Sequence, residues 1–354
     1  MRKKKVIVAM SGGVDSSLAA ALIKSQGYDV IGVTLRLLSA NEDALNRKAL
    51  KGIEDAEKVA RILDIPHQVF DAREEFEQKV VQPFSQEYFS GRTPNPCIYC
   101  NRNIKFGALL AHARKMGAEH VATGHYARVM YDEEKGRFLL KKGKDARKDQ
   151  SYFLFSLSQD QLRSVIFPLG ELTKTEVKER AKEGGLGVFE RKESQEICFI
   201  PDNDYKKFIK NRFPEAGGNG PIVATDGALL GRHHGIFSFT IGQRKGLNIA
   251  KGHPLYVVSL DKDTNTVFVG RKEETGRKEL TASRVNWIAT ESLREPLTIK
   301  ARIRYRNPEN PARVLPLSKE TVRVEFFGLQ VAITPGQAVV FYDEDSVVGG
   351  GWID

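Results

Sequence analysis

The sequence predicts an α/β protein, with a doubly wound, mainly parallel sheet followed by two small, mainly β domains, the last of them a small β-barrel. Three observations lead to this fold class. In the first part, short apolar runs alternate with segments whose apolar residues recur at helical spacing, which is typical of a doubly wound sheet. A glycine-rich loop at residues 215–221 marks a change to short strands, and residues 279–354 contain alternating strands that suit a small barrel. We therefore expect domains at residues 1–200, 201–275 and 276–354.

The individual elements follow from apolar periodicity and from the residues that interrupt it. The run at residues 5–10 predicts the first strand, and the pattern after it predicts a helix at residues 16–24. Further strands are predicted at 29–35, 67–70 and 119–123, and helices at 53–63, 74–89, 101–116 and 174–183. We also predict a hairpin of strands 128–131 and 137–141 at the edge of the first domain, a strand at 237–240, and barrel strands at 297–305, 321–326 and 337–342. Ligands of such sheets bind at the carboxyl ends of the strands, which are expected at Met10, Ser11, Leu35 and residues 123–125.

The first candidate site is the segment Ser-Gly-Gly-Val-Asp-Ser-Ser at residues 11–17, between the first strand and the first helix. Gly12 and Gly13 allow the backbone to turn sharply and approach a ligand, and the free N–H groups at the helix start favour an anion. The loop lacks the Gly-Lys-Ser/Thr ending of a Walker P-loop and the G-x-G-x-x-G spacing. It resembles the pyrophosphate loop of enzymes that cleave ATP into AMP and pyrophosphate; an ordinary solvent-exposed turn is the alternative.

Composition and charge limit the class of protein. Of the 354 residues, 41% are hydrophobic and 28% are charged, which argues against large-scale disorder. No apolar run is long enough to span a bilayer, and the basic N-terminus leads straight into a strand, so we expect a cytoplasmic protein without a membrane partner. The net charge of +10 favours a polyanionic partner such as nucleic acid, with solubility as the alternative reason.

The three cysteines, Cys97, Cys100 and Cys198, are too few for a disulfide framework, so they raise the question of reactivity or metal binding. Cys100 follows a loop with two prolines and lies where the next predicted helix begins. A helix N-terminus stabilises a thiolate, and Lys105 and Arg102 would add to this effect. Cys100 is therefore a candidate reactive cysteine, with a small buried apolar residue as the alternative. Cys198 is a candidate for reactivity because of other features of the chain. An ATP loop and two separated cysteines suit a reaction in which sulfur replaces an activated oxygen.

Six motifs occur in order: S-G-G-V-D-S-S, T-P-N-P-x-x-x-C-N, A-T-G-H-Y-A-R, K-D-Q-S-Y-F-L, S-Q-E-I-C-F and T-I-G-Q-R-K-G-L. On these motifs the chain resembles the tRNA-specific 2-thiouridylase family over essentially its whole length. The resemblance implies an adenine nucleotide alpha hydrolase-like domain in a sulfurtransferase. Such an enzyme converts uridine at the wobble position of tRNA to 2-thiouridine through an adenylated base and a cysteine persulfide, releasing AMP and pyrophosphate. It further implies ATP and Mg²⁺ as cofactors, the tRNAs for Lys, Glu and Gln as substrates, and a cysteine desulfurase or sulfur-relay protein as sulfur donor.

The resemblance also assigns roles to residues at matching positions. For ATP binding it indicates Ala9, Met10, Ser11, Gly12, Gly13, Val14, Asp15, Ser16, Leu35 and Gly124. Asp15 would act in catalysis near the pyrophosphate and its magnesium ion. Cys198 would carry the persulfide, and Cys100 would be the nucleophile that assists sulfur release and can form a disulfide with Cys198. For contact with the target base and the rest of the tRNA it indicates Asn95, Pro96, Cys97, His125, Lys148, Asp149, Gln150, Arg304, Tyr305 and Gln337.

Cys97 departs from the family pattern, in which many relatives carry aspartate at this position. It forms a C-x-x-C spacing with Cys100, and three thiolates including Cys198 could ligate an iron–sulfur cluster, or zinc. Because C-x-x-C is a weak motif by itself, a structural cysteine is preferred over the cluster.

Two other functions fit part of these observations. A small-molecule synthetase of the ATP pyrophosphatase class accounts for the loop but not for the basic charge, the cysteines or the C-terminal β region. A non-catalytic tRNA-binding protein with ATP as a structural ligand accounts for the charge but leaves Cys100 and Cys198 without a role. The sulfur donor, the choice of tRNAs and the oligomeric state stay open at this point.

Overall fold

The computed structural model describes residues 3–38, 43–187, 197–214, 218–249 and 252–354. Its first sheet consists of five strands, all parallel, in the order β3-β2-β1-β4-β7. The strands are β1 (Lys5–Ala9), β2 (Asp29–Arg36), β3 (His67–Asp71), β4 (His120–Ala122) and β7 (Val165–Ile166). Val6, Ile7 and Val8 of the central strand have no exposed surface, as expected of a parallel strand covered on both faces. The predicted doubly wound sheet is therefore confirmed.

Nine α-helices lie in the described part of the chain. They are α1 (Val14–Ser25), α2 (Asp43–Ile62), α3 (Arg73–Phe76), α4 (Gln82–Phe89), α5 (Pro96–Cys100), α6 (Leu109–Lys115), α7 (Gln159–Arg163), α8 (Lys174–Glu183) and α9 (Tyr205–Arg212). Two π-helical segments, Glu77–Val81 and Asn101–Ala108, join α3 to α4 and α5 to α6. The helix predicted at residues 174–183 has those bounds, whereas the one predicted at 53–63 begins ten residues earlier.

The prediction that a helix begins after Cys100 is wrong, because α5 begins at Pro96. The Asn95 side chain accepts a hydrogen bond from the Cys97 backbone N–H at 3.2 Å, and proline suits the first position of a helix because no partner is needed for its missing N–H. Cys100 is therefore the last residue of α5 and does not lie at its N-terminus, the positive end of the helix dipole.

The second sheet has four strands in the order β10-β11-β8-β9. They are β8 (Gly220–Ala224), β9 (Leu229–His233), β10 (Tyr256–Asp261) and β11 (Thr266–Gly270), which confirms short strands in this region. The strand predicted at 237–240 is wrong, since Ile236–Ser238 forms a 3₁₀ turn. Phe237 and Phe239 are nevertheless buried, so their alternation reflects packing rather than a strand. Residues 215–217 of the predicted glycine-rich loop lie outside the described residues.

The C-terminal strands close into a barrel, as predicted. The six strands are β12 (Gly276–Trp287), β13 (Leu297–Arg302), β14 (Asn310–Pro316), β15 (Val322–Val331), β16 (Ala338–Asp343) and β17 (Ser346–Ile353). Closure follows because β12 pairs with both β15 and β17.

The predicted hairpin is present as β5 (Ala127–Asp132) and β6 (Arg137–Lys142), but its location differs from the prediction. It extends the barrel sheet, because Val347 of β17 pairs with Leu140 of β6. One hydrophobic cluster accordingly runs from Ile7 of the parallel sheet through Leu140 to Trp352 of the barrel. The residue limits of the three domains stay a prediction.

No helix in the described part of the chain combines the length and the apolar character that crossing a bilayer needs.

Candidate active site

The nucleotide loop, defined as residues 11–17, comprises the end of the turn between β1 and α1 and the first residues of α1, and its own serines hold its shape. Gly12 adopts a φ of 72°, a conformation that favours glycine. The Ser16 hydroxyl accepts from the Ser11 backbone N–H at 3.1 Å and donates to the Gly13 carbonyl at 3.0 Å, and Ser17 donates to the same carbonyl at 2.9 Å. Because Gly13 precedes the helix without a capping side chain, the first N–H groups of α1 are left for a ligand with negative charge.

Gly124, two residues after the end of β4, packs against this loop more closely than any other residue type would allow. A Cβ added to Gly124 would lie 2.8 Å from the carbonyl carbon of Asp15 and 2.9 Å from the backbone nitrogen of Ser16. Met10 is tied to the next strand, since its N–H donates to the Val33 carbonyl at 2.8 Å. The predicted ATP residues of β1, α1 and the end of β4 therefore meet at one edge of the sheet.

Asp15 is the charged group of this loop, and its partners come from distant parts of the chain. Lys174 Nζ lies 2.7 and 2.8 Å from its two carboxylate oxygens, and the Tyr126 hydroxyl donates to it at 2.7 Å. Lys174 is the first residue of α8, whose start is fixed by a capping box between Thr173 and Glu176. The sequence interpretation missed Lys174 and Tyr126; the capping box was the signal that could have placed Lys174 at a helix start.

The thiol loop, defined as residues 91–100, carries two of the three cysteines. Cys97 lies on the first turn of α5 and is exposed, whereas Cys100 is buried. Burial raises the pKa of Cys100 to about 11, and the positive charge of Lys105 opposes this rise. Loss of hydration therefore opposes the expected thiolate at Cys100 more strongly than the nearby charge favours it. The expected contribution of Lys105 is confirmed in direction.

Cys198 lies near these thiols, because its neighbours Ile197 and Phe199 pack in one hydrophobic cluster with Cys100. Loss of hydration and then the neighbouring Cys100 and Cys97 raise its pKa, while Lys105 lowers it, although its side chain still reaches solvent. The structure thus brings together the two predicted catalytic cysteines and Cys97. The residues Ser194, Gln195 and Glu196 of the motif around Cys198 lie outside the described residues.

The three cysteines are free thiols, the form in which they could ligate a metal ion. Among the residues that the structure describes, no group of three or more His, Cys, Asp or Glu side chains is arranged to hold a metal ion. In this arrangement the thiols do not fit the iron–sulfur or zinc site that their spacing allows.

His125 connects the end of β4 to the thiols. It is 8% exposed and is enclosed by Phe106 and Phe167; burial and then Lys105 hold its pKa well below the usual range, so the ring is neutral at pH 7. Lys105 Nζ lies 3.4 Å from its Nε2, and Thr123 Oγ1 lies 2.6 Å from its Nδ1. Because an ammonium group only donates, we assign the ring proton to Nδ1, which donates to Thr123.

Several residues predicted to contact tRNA have partners within the protein. Asp149 is buried and accepts hydrogen bonds from the backbone N–H groups of Gly143 and Ser151, each at 3.1 Å. The Gln150 side chain accepts from the backbone N–H of Tyr126 at 3.0 Å. Lys148 and Tyr305 are half-buried, and Asn95 and Pro96 begin α5. Their contact with tRNA stays a prediction.

Three family models together match nearly the whole chain. The family described as "tRNA methyl transferase HUP domain" matches residues 4–202, "tRNA methyl transferase PRC-barrel domain" matches residues 206–271, and "Aminomethyltransferase beta-barrel domain" matches residues 277–353. Among solved structures, a 4-thiouridine synthetase–RNA complex with bound ATP is 20% identical, with a TM-score of 0.37 over 60% of this chain and 51% of that chain.

Curated relatives are similar over their full length. The tRNA-specific 2-thiouridylase MnmA 1 of Caldanaerobacter subterraneus subsp. tengcongensis is 51% identical, over 99% of this chain and 98% of that protein. The tRNA-specific 2-thiouridylase MnmA of Moorella thermoacetica is 52% identical, over 98% of this chain and 99% of that protein. Identity at this level over nearly the full length of both proteins shows that the chain belongs to the tRNA-specific 2-thiouridylase family.

Proposed function

We propose that this protein is a tRNA-uridine 2-sulfurtransferase, which uses ATP to replace O2 of the wobble uridine with sulfur. The observation that carries this proposal is the segment 123–126. Gly124 packs on the nucleotide loop, Tyr126 binds Asp15, and His125 reaches Lys105 beside the thiols. The proposed site for splitting ATP would therefore be a neighbour of the proposed site for delivering sulfur, as a reaction that first activates an oxygen and then replaces it requires.

The first step activates the base. The uracil must leave the stacked anticodon loop to reach the pocket. Its O2 then attacks the α-phosphorus of ATP; an O2–P bond forms, the bond between the α- and β-phosphates breaks, and pyrophosphate leaves. The N–H groups at the start of α1 stabilise the negative charge on the departing pyrophosphate, and they need no reorientation to do so. AMP on O2 is a far better leaving group than the original oxygen.

The second step delivers sulfur. The terminal sulfur of a persulfide on Cys198 attacks C2 of the uracil, and AMP departs. Cys100 as a thiolate then attacks Sγ of Cys198; the S–S bond to the delivered sulfur breaks, a disulfide between Cys100 and Cys198 forms, and 2-thiouridine is released. A cellular thiol reductant returns both cysteines to the free state. Burial raises the pKa of both cysteines in the free protein, and the positive charge of Lys105 opposes this rise; Lys105 is thus the group that favours the thiolates these steps need.

The cofactors and partners follow from the same scheme. The uncapped loop and the close approach of Gly124 fit a triphosphate, and Asp15 would hold Mg²⁺, which when bound neutralises the charge of the phosphates. The substrates are the tRNAs for Lys, Glu and Gln, and a cysteine desulfurase or sulfur-relay protein supplies the persulfide sulfur. The net charge of +10 supports a polyanionic partner.

One experiment tests this function against its alternatives. Purified protein with ATP, Mg²⁺ and a persulfide source is expected to release pyrophosphate only when unmodified tRNA is present, and digestion of that tRNA is expected to yield 2-thiouridine. Pyrophosphate release with a small acceptor but without tRNA would indicate a small-molecule synthetase. Binding of tRNA without pyrophosphate release would indicate a binding protein.

An iron–sulfur route is the alternative that the C-x-x-C spacing of Cys97 and Cys100 raises, although the described side chains form no group of three or more ligands for a metal ion. Anaerobic purification followed by iron and sulfide analysis decides between the routes. A colourless, iron-free preparation with full thiolation activity supports the bare persulfide; stoichiometric iron and sulfide that activity requires would establish the cluster.

Replacing Asp15 with asparagine is expected to lower tRNA-dependent pyrophosphate release by about 100-fold. The amide still accepts the hydrogen bond of Tyr126 but loses the charge that faces Lys174 and that would hold Mg²⁺. The matched control is Asp29→Asn, which removes an exposed carboxylate at the amino end of β2, the opposite edge of the sheet. Equal rates in the two variants would contradict a role of Asp15 in the ATP reaction.

A further inference from the structure

The thiol loop is held from outside its own domain by a turn of the barrel. This barrel turn, defined as residues 334–337, leads into β16. The Thr93 backbone N–H donates to the Pro335 carbonyl at 2.8 Å, and the Gln337 side-chain amide donates to the Thr93 carbonyl at 2.8 Å. Both backbone groups of Thr93 are therefore bound by residues that are more than 240 positions away in the sequence.

Gly336 makes this contact close. Its φ is +88°, and an added Cβ would lie 3.0 Å from the Thr93 nitrogen and 3.1 Å from Arg92 Cβ. The other side of the barrel turn is fixed by Arg304, which donates to the Ala332 carbonyl at 2.7 Å and to the Thr334 hydroxyl. Two residues predicted to contact tRNA, Arg304 and Gln337, thus belong to one contact between the barrel and the thiol loop.

A second contact lies on the other side of Cys97. Tyr99, between the two cysteines of the thiol loop, stacks on Trp352 of the barrel at a ring distance of 5.7 Å. The guanidinium group of Arg284 lies over Trp352, 4.8 Å from the centre of its ring. One of its nitrogens lies 3.4 Å from the Tyr99 hydroxyl. The barrel therefore restrains the chain both before and after Cys97.

We propose that the barrel turn is a latch that sets the position of the thiol loop, and that Gln337 is a positioning residue whose side chain holds Thr93 rather than tRNA. The inference deepens, and rests on, the proposed sulfur transfer at this loop. Catalytic groups that are misplaced by about an ångström lose up to 100-fold in rate, and Thr93 is four residues before Cys97. The barrel then affects the rate of sulfur transfer by positioning the thiol loop, in addition to any contact that it makes with tRNA.

The test separates positioning from tRNA contact with Gln337→Met, which keeps a side chain of similar length but removes the donor. We expect kcat for thiolation to fall by about tenfold, while the Kd for tRNA changes by less than twofold. We also expect the rate at which iodoacetamide alkylates Cys97, measured by mass spectrometry without tRNA or ATP, to change by at least threefold. A tRNA contact has no effect on this last rate.

Gly336→Ala tests the same contact from the backbone, with the same three effects expected. Gly328→Ala is the matched control, because a Cβ there meets nothing within 4 Å, and unfolding temperatures report that each variant is folded. Weaker tRNA binding with an unchanged alkylation rate in Gln337→Met would overturn the latch. The alkylation measurement needs no tRNA and no thiolation, so a failure of the latch and a failure of the proposed function are distinguished.

Discussion

Replacing Gly124 with alanine is expected to weaken ATP binding by about 10- to 100-fold and to abolish measurable thiolation. The new methyl group would lie less than 3 Å from backbone atoms of Asp15 and Ser16, which cannot move aside as a flexible side chain can. Overpacking of this kind costs about 1–3 kcal/mol, and the nucleotide loop has to shift to relieve it. Equilibrium binding of an ATP analogue, with tRNA-dependent pyrophosphate release, measures the effect.

The control for Gly124→Ala is Gly328→Ala, since Gly328 has open space around its Cα. The control variant is expected to bind ATP with wild-type affinity and to unfold at the wild-type temperature. If Gly124→Ala binds ATP as tightly as the wild type, the contact between the end of β4 and the loop is unimportant for the nucleotide.

Replacing Cys198 with serine is expected to eliminate 2-thiouridine formation completely while tRNA-dependent pyrophosphate release continues. Serine cannot form a persulfide, but activation of the base precedes sulfur delivery and does not use this side chain. Cys198 is exposed, so the smaller oxygen atom costs the fold little. Nucleoside analysis of digested tRNA, pyrophosphate release and tRNA affinity, measured on one preparation, separate the two chemical steps. Retention of thiolation in Cys198→Ser would end its assignment as the sulfur carrier.

Cys97→Asp is the informative comparison, because the family resemblance places aspartate at this position in many relatives. On the persulfide route this variant keeps substantial thiolation, since Cys97 carries no sulfur in either step. On the cluster route a carboxylate replaces a thiolate, the ligand that iron–sulfur clusters favour, and we expect iron content and thiolation to fall together. The pair of variants therefore assigns the sulfur carrier and distinguishes the two routes.

The thiol loop shows why the predicted start of a helix was wrong. Two prolines and a glycine predict a loop up to residue 100, whereas Asn95 caps the helix and Pro96 begins it, five residues before the predicted start. As a result, the predicted thiolate rested on a helix N-terminus that Cys100 does not occupy. Lys105 does lower the pKa of Cys100, but burial raises it more, and burial depends on packing that no local pattern reports.

The hairpin likewise has one feature that the sequence predicts, its two strands, and one that only the fold shows, its location in the barrel sheet. Alternating residues and the turn between them were enough to predict β5 and β6, because register within a hairpin is set locally. Its pairing with β17 joins segments about 200 residues apart and depends on how the barrel docks against the parallel sheet. Only the folded chain could show that the hairpin belongs to the barrel sheet.

The amino-acid sequence was sufficient to predict the glycine-rich loop after the first strand, most strands and helices of the parallel-sheet domain, a small C-terminal barrel and, through six motifs, the family. These features depend on glycine and proline positions and on short-range apolar periodicity, which act within a few residues. The tertiary structure alone decided that Lys174 and Tyr126 bind Asp15 across 159 and 111 residues, and that a barrel turn holds Thr93. Ion pairs, hydrogen bonds and desolvation depend on distances in space, and those distances exist only after the separate elements have packed together.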